Sequence, residues 1–214
     1  MDSLKSMSDE QVWRLFREGN RLAFEEMYNR YHPVLSAYGM RLTGDPDMVA
    51  DAVQNLFVKL IRNCRNLKQT DNVKYYLLSA IRHRIFDEYQ KIHPSVPLES
   101  GEAFFTYSPD TPEAAFGDAD DERMEKTARL EKLLEHLSSR QKEILYLYYV
   151  KGLSHQQIAE MLGINRQSSK NLLFRTVSRL KNSLFVSSTL FIFTVLSMYY
   201  GVQTIKGSVS LPSV

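Results

Sequence analysis

"GLSHQQIAEMLGINRQSSKNLLFR", residues 152–175, holds two short helical patterns parted by almost nothing. Ser154 and Gln157 have the spacing of a capping box, which predicts a helix start with Ile158, Ala159 and Leu162 on its inner side. Gly163 predicts a tight stop, Ile164 is expected to fill the core, and Asn165 is a ready cap for a second helix. Ala159 is small enough for that second helix to cross it closely. Two helices joined by a turn of about three or four residues with glycine make a helix-turn-helix unit. A plain helical hairpin has no need of this spacing of alanine and glycine.

The second helix tells what the unit is offered to. At about 100° per residue, Leu173, Val177 and Leu180 fall together and are expected to bury. Gln167, Ser168, Asn171, Arg175 and Arg179 spread over the opposite side, flanked by Arg166 and Lys170. Amides and hydroxyls suit base edges, arginine suits guanine or phosphate, and flanking cations suit phosphate alone. Residues 140–181 hold eight Lys or Arg against two Glu, and no acid follows Glu160. A merely solvated face mixes signs, so an acid-free one is expected to read duplex DNA in the major groove.

The rest of the chain sets the frame. With 214 residues, 43% hydrophobic and 24% charged, it is expected to be soluble and globular, with room for one large domain or two small ones. Net charge is only +2, so basicity is concentrated rather than general. Cys64 stands alone, which excludes an intrachain disulfide and a cysteine-based zinc site and suits a reducing cytoplasm. The first nineteen residues lack the apolar core of a secretory leader.

Residues 8–92 read as helices throughout, with no alternating strand pattern. Ser8 and Gln11 make another capping box and Gly19 a stop. Asn20 caps a second helix bearing Phe24, Met27, Tyr28 and Tyr31, with a kink or restart expected at Pro33 and an end at "TGDP", 43–46. A third helix runs from about Asp47 to Arg62, and a fourth starts near Asn72 with Leu77, Ala80, Ile81 and Ile85 inside. Residues 93–122 then carry four prolines, eight acids and no Lys or Arg, which predicts an extended linker. The expected fold is all-α: a helical domain at 8–92, an acidic linker at 93–125, and a helix-turn-helix domain at 126–183. His32, His83, His93, His136 and His155 show no metal-ligand spacing, and neither a nucleophile motif nor a phosphate-cradling loop is present. No metal, cofactor or catalytic residue is therefore expected.

The segment 137–181 resembles region 4 of the extracytoplasmic-function branch of bacterial sigma-70 factors. "FEEMYNRYHPVLSAYGMRLTGDPDMVADAVQNLFVKLI" (24–61) and "YYLLSAIRHRIFDEYQK" (75–91) resemble the earlier and later parts of sigma region 2. The resemblance implies a transcription initiation factor whose partners are core RNA polymerase, promoter DNA and an anti-sigma factor. It implies that Asp51, Gln54 and Asn55 face the polymerase, although Asn55 stands where an acid is usual. It puts Arg82 and Asp87 at the minus-ten element and the loop near 66–72 at a flipped promoter base. The helix with Arg166, Gln167, Ser168, Lys170, Asn171, Arg175 and Arg179 would read the minus-thirty-five element. Ile61 and His83 replace a common Trp and Asn; Ser169 and Leu172 replace a usual Val and a frequent Arg. Independently of the family, Arg62, Arg65, Lys68, Lys74, Arg82, Arg84 and Lys91 lie among Tyr75, Tyr76 and Tyr89, a mixture that suits single-stranded DNA.

One segment fits neither half. No charge occurs from Asn182 through Ile205, 24 residues, and Arg175, Arg179 and Lys181 precede the run. A hydrophobic helix at 184–205 is expected, long enough to anchor the chain in the inner membrane with both helical halves on the cytoplasmic side, ahead of a short tail at 206–214. Ser187, Ser188, Thr189, Thr194 and Ser197 dilute it, so a helix packed on the other domains is the competing reading. The rival function is a membrane-tethered helix-turn-helix regulator that never binds core polymerase, which would leave residues 47–91 without a purpose.

Overall fold

The computed structural model describes residues 2–92, 134 and 136–184. The expected linker at 93–125 and, beyond Leu184, the expected hydrophobic helix lie outside the described residues. All regular structure among the described residues is helical. None of the described helices is long and apolar enough to cross a membrane. The chain divides into two compact units.

The first begins with a short helix, α1 (Asp2–Lys5), followed by α2 (Asp9–Arg17) and α3 (Arg21–Thr43). Helices α4 (Pro46–Arg62) and α5 (Val73–Ile92) complete it, with a 3-10 turn at Cys64–Asn66 between them. Each start has a local cause. Both halves of the Ser8–Gln11 capping box form: the Gln11 amide donates to Ser8 Oγ at 3.3 Å and the Ser8 amide to Gln11 Oε1 at 2.9 Å. Asn20 Oδ1 accepts from the Ala23 amide at 3.1 Å. Asp45 Oδ1 accepts from the amides of Asp47 and Met48, both at 3.0 Å. Asn72 Oδ1 accepts from Tyr75 at 2.9 Å. Such caps are worth about 1 kcal/mol each.

Helix α3 is the spine, packing against α2, α4 and α5. It neither restarts nor ends at Pro33 but runs through it for 23 residues. Pro33 and Asn29, whose carbonyl loses its partner to the ring, are both exposed, so water can take the place of the missing bond. The core consists of Val12, Trp13 and Phe16 from α2, Leu35, Tyr38 and Leu42 from α3, a stripe from Val49 to Leu60 on α4, and Leu77, Leu78, Ile81 and Ile85 from α5. Of the apolar positions on α3, Met27 and Tyr31 are buried, Phe24 is half-buried and Tyr28 is 38% exposed. Gly39 explains how closely α3 meets its neighbours. A Cβ there would sit 2.8 Å from Val49 Cγ1 and 3.1 Å from Ile85 Cδ1.

The described residues 136–184 hold α6 (Ser139–Leu145), α7 (His155–Leu162) and α8 (Arg166–Leu184), with α6 packed on α8. Ser138 and Gln141 form a capping box at the start of α6. The stretch 138–152 is not one uniform helix, because α6 widens into a π-helical turn at Tyr146–Val150. The Lys151 amide reaches back to Tyr146 O at 3.0 Å. Widening keeps Tyr146 and Leu147 buried while Lys151 Nζ lies 5.0 Å from the Tyr146 ring centroid.

Candidate nucleic-acid interface

The helix-turn-helix forms as its spacing predicts. The Ser154 amide donates to Gln157 Oε1 at 2.9 Å and the Gln157 amide to Ser154 Oγ at 3.3 Å, opening α7. Ile158 and Ala159 are buried. Gly163 takes φ +64°, a left-handed conformation that costs glycine little. Asn165 Oδ1 accepts from the Ser168 amide at 2.7 Å and starts α8 at once.

Helix α8 sorts its residues into two sides. Leu173 and Leu180 are buried as expected, whereas Val177 and Ile164 are only half-buried. The remaining inward positions belong to Ser169 and Thr176, both fully buried, which hydropathy could not reveal. Their hydroxyls are satisfied: Thr176 Oγ1 donates to Leu172 O at 2.7 Å, and Ser169 Oγ pairs with His155 Nδ1 at 3.1 Å. His155 stacks on Tyr148 with ring centroids 4.9 Å apart. Burial, then the charges of Lys170 and Arg166, push its pKa down, so the neutral ring is favoured.

Facing outward are Arg166, Gln167, Lys170, Asn171, Arg175 and Arg179, while Ser168 is half-buried at the helix start. Gln167 Nε2 donates to Asn171 Oδ1 at 3.0 Å. Arg175 Nε donates to the Asn171 carbonyl at 3.3 Å. Phe174 is 72% exposed in the midst of this polar surface. Sequence reasoning missed it; the signal was its position seven residues from Gln167, almost the same direction around the axis.

On the first unit, Asp51, Gln54 and Asn55 all lie on the exposed side of α4, opposite its buried stripe, and Ile61 is 46% exposed. Arg82 and Lys91 are not brought together. Nine residues apart, they lie half a turn apart around α5. Arg82 shares a flank with Tyr75 and Tyr89, its guanidinium carbon 4.3 Å from the Phe86 ring centroid. Lys91 pairs with Glu88 at 2.9 Å. Between α4 and α5, residues 67–72 form a loop bonded to α2 through Trp13 and Arg17. Among the described residues, no group of three or more His, Cys, Asp or Glu side chains could hold a metal ion.

Two family matches account for these units. Residues 27–93 match sigma-70 region 2 and residues 127–180 match sigma-70 region 4, together more than half of the chain. The chain belongs to the sigma-70 family, with the two-region layout of its extracytoplasmic-function branch. It is 25% identical over 163 residues to the RNA polymerase sigma factor SigZ of Bacillus subtilis, covering 75% of this chain and 86% of SigZ. It is 22% identical over 167 residues to YlaC, a sigma factor of the same organism, covering 77% and 94%. Two solved structures share the fold. One is the sigma factor RpoE bound to the anti-sigma factor NepR from Bartonella quintana, at TM-score 0.54, 22% identity, and 77% and 98% coverage. The other is CnrH in complex with the cytosolic domain of CnrY, at TM-score 0.51, 18% identity, and 84% and 99% coverage.

Proposed function

We infer that this chain is a sigma factor: it binds core RNA polymerase and directs promoter-specific initiation of transcription. The observation that carries the reading is the presence of region 2 on the same chain as a region 4 helix-turn-helix. A regulator that used only the helix-turn-helix would have no use for region 2, so that alternative is not favoured.

The division of labour follows the surfaces. Asp51, Gln54 and Asn55, side by side on the exposed face of α4, serve as the polymerase-binding patch. Arg82, with its aromatic neighbours, and Lys91, on the other flank of α5, serve the minus-ten element, and the loop at 67–72 receives an unpaired base. Arg166, Gln167, Ser168, Lys170, Asn171, Arg175 and Arg179 serve the minus-thirty-five duplex. Support comes from the exposure of all of these α8 residues but the half-buried Ser168, and from the absence of any acid in the sequence after Glu160. Retention of the full chain on immobilised core polymerase tests the reading. Elution at the position of the free protein in moderate salt would refute it.

Two partners follow less directly. An anti-sigma factor is proposed because RpoE and CnrH were each solved with a bound partner, NepR for RpoE and the cytosolic domain of CnrY for CnrH. The uncharged run 182–205 is proposed to hold the chain at the inner membrane, with the sigma regions in the cytoplasm. Its length and the cations before it support that reading. Fractionation of cells making the full chain tests it: recovery in the soluble fraction would favour a segment packed on the protein instead.

A further inference from the structure

We propose that Trp13 and Arg17 on α2 are positioning residues for the loop at 67–72, and through it for the capture of an unpaired promoter base. The inference rests on the reading of that loop given above. Helix α2 lies outside both family matches, the first of which begins at residue 27, yet three hydrogen bonds join it to the loop. Trp13 Nε1 donates to Lys68 O at 3.2 Å. Arg17 Nε donates to Leu67 O at 2.6 Å, and its Nη1 to Gln69 Oε1 at 2.9 Å. Residues four apart on a helix stand one above the other, so the pair grips three consecutive loop residues from one face.

The grip is rigid at its base. Trp13 is 1% exposed, and its ring lies 5.5 Å from Phe16 and 5.3 Å from Tyr76, in the first turn of α5. One side chain therefore ties the loop and the start of the following helix to α2. Asn72, at the loop's other end, caps α5 through the Tyr75 amide. Lys68, Gln69 and Asp71 remain exposed on this held backbone. That is the form a receptacle needs. A base leaves the stack at a cost, and a loop already held in shape adds little ordering cost of its own.

The test uses holoenzyme assembled from core polymerase and the full chain. Trp13→Phe keeps an aromatic ring in the core but removes the indole N–H; Arg17→Lys keeps the charge but not the fork. The probe is a single-stranded oligodeoxynucleotide of the non-template strand across the minus-ten element, intact or with one abasic site at each position in turn. The parent should lose affinity sharply at one abasic position. The double variant should bind the intact strand about tenfold more weakly, as expected for lost hydrogen bonds. It should also be indifferent to the abasic site, while its affinity for core polymerase is unchanged. An abasic penalty equal to the parent's overturns the proposal. So does a parallel loss of core affinity, which would mark a general structural role. A parent indifferent to every abasic position refutes base capture by the loop itself, a failure visible without any variant.

Discussion

Gln167 and Asn171 are joined amide to amide across one turn of α8, Nε2 to Oδ1 at 3.0 Å. The bond leaves the Gln167 carbonyl oxygen as an acceptor and the Asn171 amino group as a donor on two exposed side chains. Adenine offers the complementary donor and acceptor in the major groove. Asn171→Ala and Gln167→Ala should each weaken binding to the preferred promoter duplex by about 1–3 kcal/mol. Because each holds the other, the double variant should lose less than the sum of the singles. Anisotropy titrations with a minus-thirty-five duplex measure this; strictly additive losses would show that the two act separately.

Phe174 gives a sharper probe of the same surface. A ring 72% exposed among cations and amides has an apolar target in the major groove, the thymine methyl group. Replacing thymines of the minus-thirty-five element one by one with uracil removes that methyl alone. One such replacement should weaken binding by the parent and leave Phe174→Ala unaffected. Equal sensitivity of parent and variant at every position would assign Phe174 no part in reading.

Gly39→Ala should destabilise the first unit despite the better helix propensity of alanine. Propensity favours the change by about 1 kcal/mol, whereas overpacking costs about 1–3 kcal/mol. The added methyl would meet Val49, a branched side chain with little freedom, at 2.8 Å. Crowding is expected to win, and urea melts of the full chain should show an earlier first transition. A stabilised variant would mean that α3 and α4 part easily.

His155 gives the second unit a pH dependence of definite sign. Its pKa in the folded protein lies below its ordinary value, so the unfolded chain binds the proton more readily. Stability is therefore full above about pH 6.5 and falls as pH drops through that value. Protonation would also set a third cation beside Arg166 and Lys170. Melts of the full chain between pH 7.5 and 5.5 should show the second unit weakening more in the parent than in His155→Gln. Identical pH profiles would show that the histidine is not coupled to folding.

The sequence announced whatever was local. The capping boxes at Ser8 and Ser154, the stop at Gly163 and the cap at Asn165 are decided by neighbours three or four residues away, and all form. The cationic face of α8 was legible because its residues need only be absent from the core. What escaped depended on distant partners. Ser169 and Thr176 look like surface residues until His155 and the Leu172 carbonyl are seen to satisfy them. The π turn at 146–150 leaves no mark in the spacing of Tyr and Leu. Nor could any local pattern show that Trp13 and Arg17 reach a loop some fifty residues away.

The central claim is that region 2 makes this chain a sigma factor, and run-off transcription tests it most directly. Core polymerase with the parent chain, on fragmented genomic DNA of the source organism, should yield discrete transcripts absent with core alone. Asp51→Lys combined with Gln54→Ala changes two exposed side chains of α4 and touches neither the core nor α8. That variant should yield no transcripts while still binding the minus-thirty-five duplex. Transcripts from the variant at the parent's level would contradict the polymerase-facing role of α4, and their absence with the parent would contradict the claim as a whole.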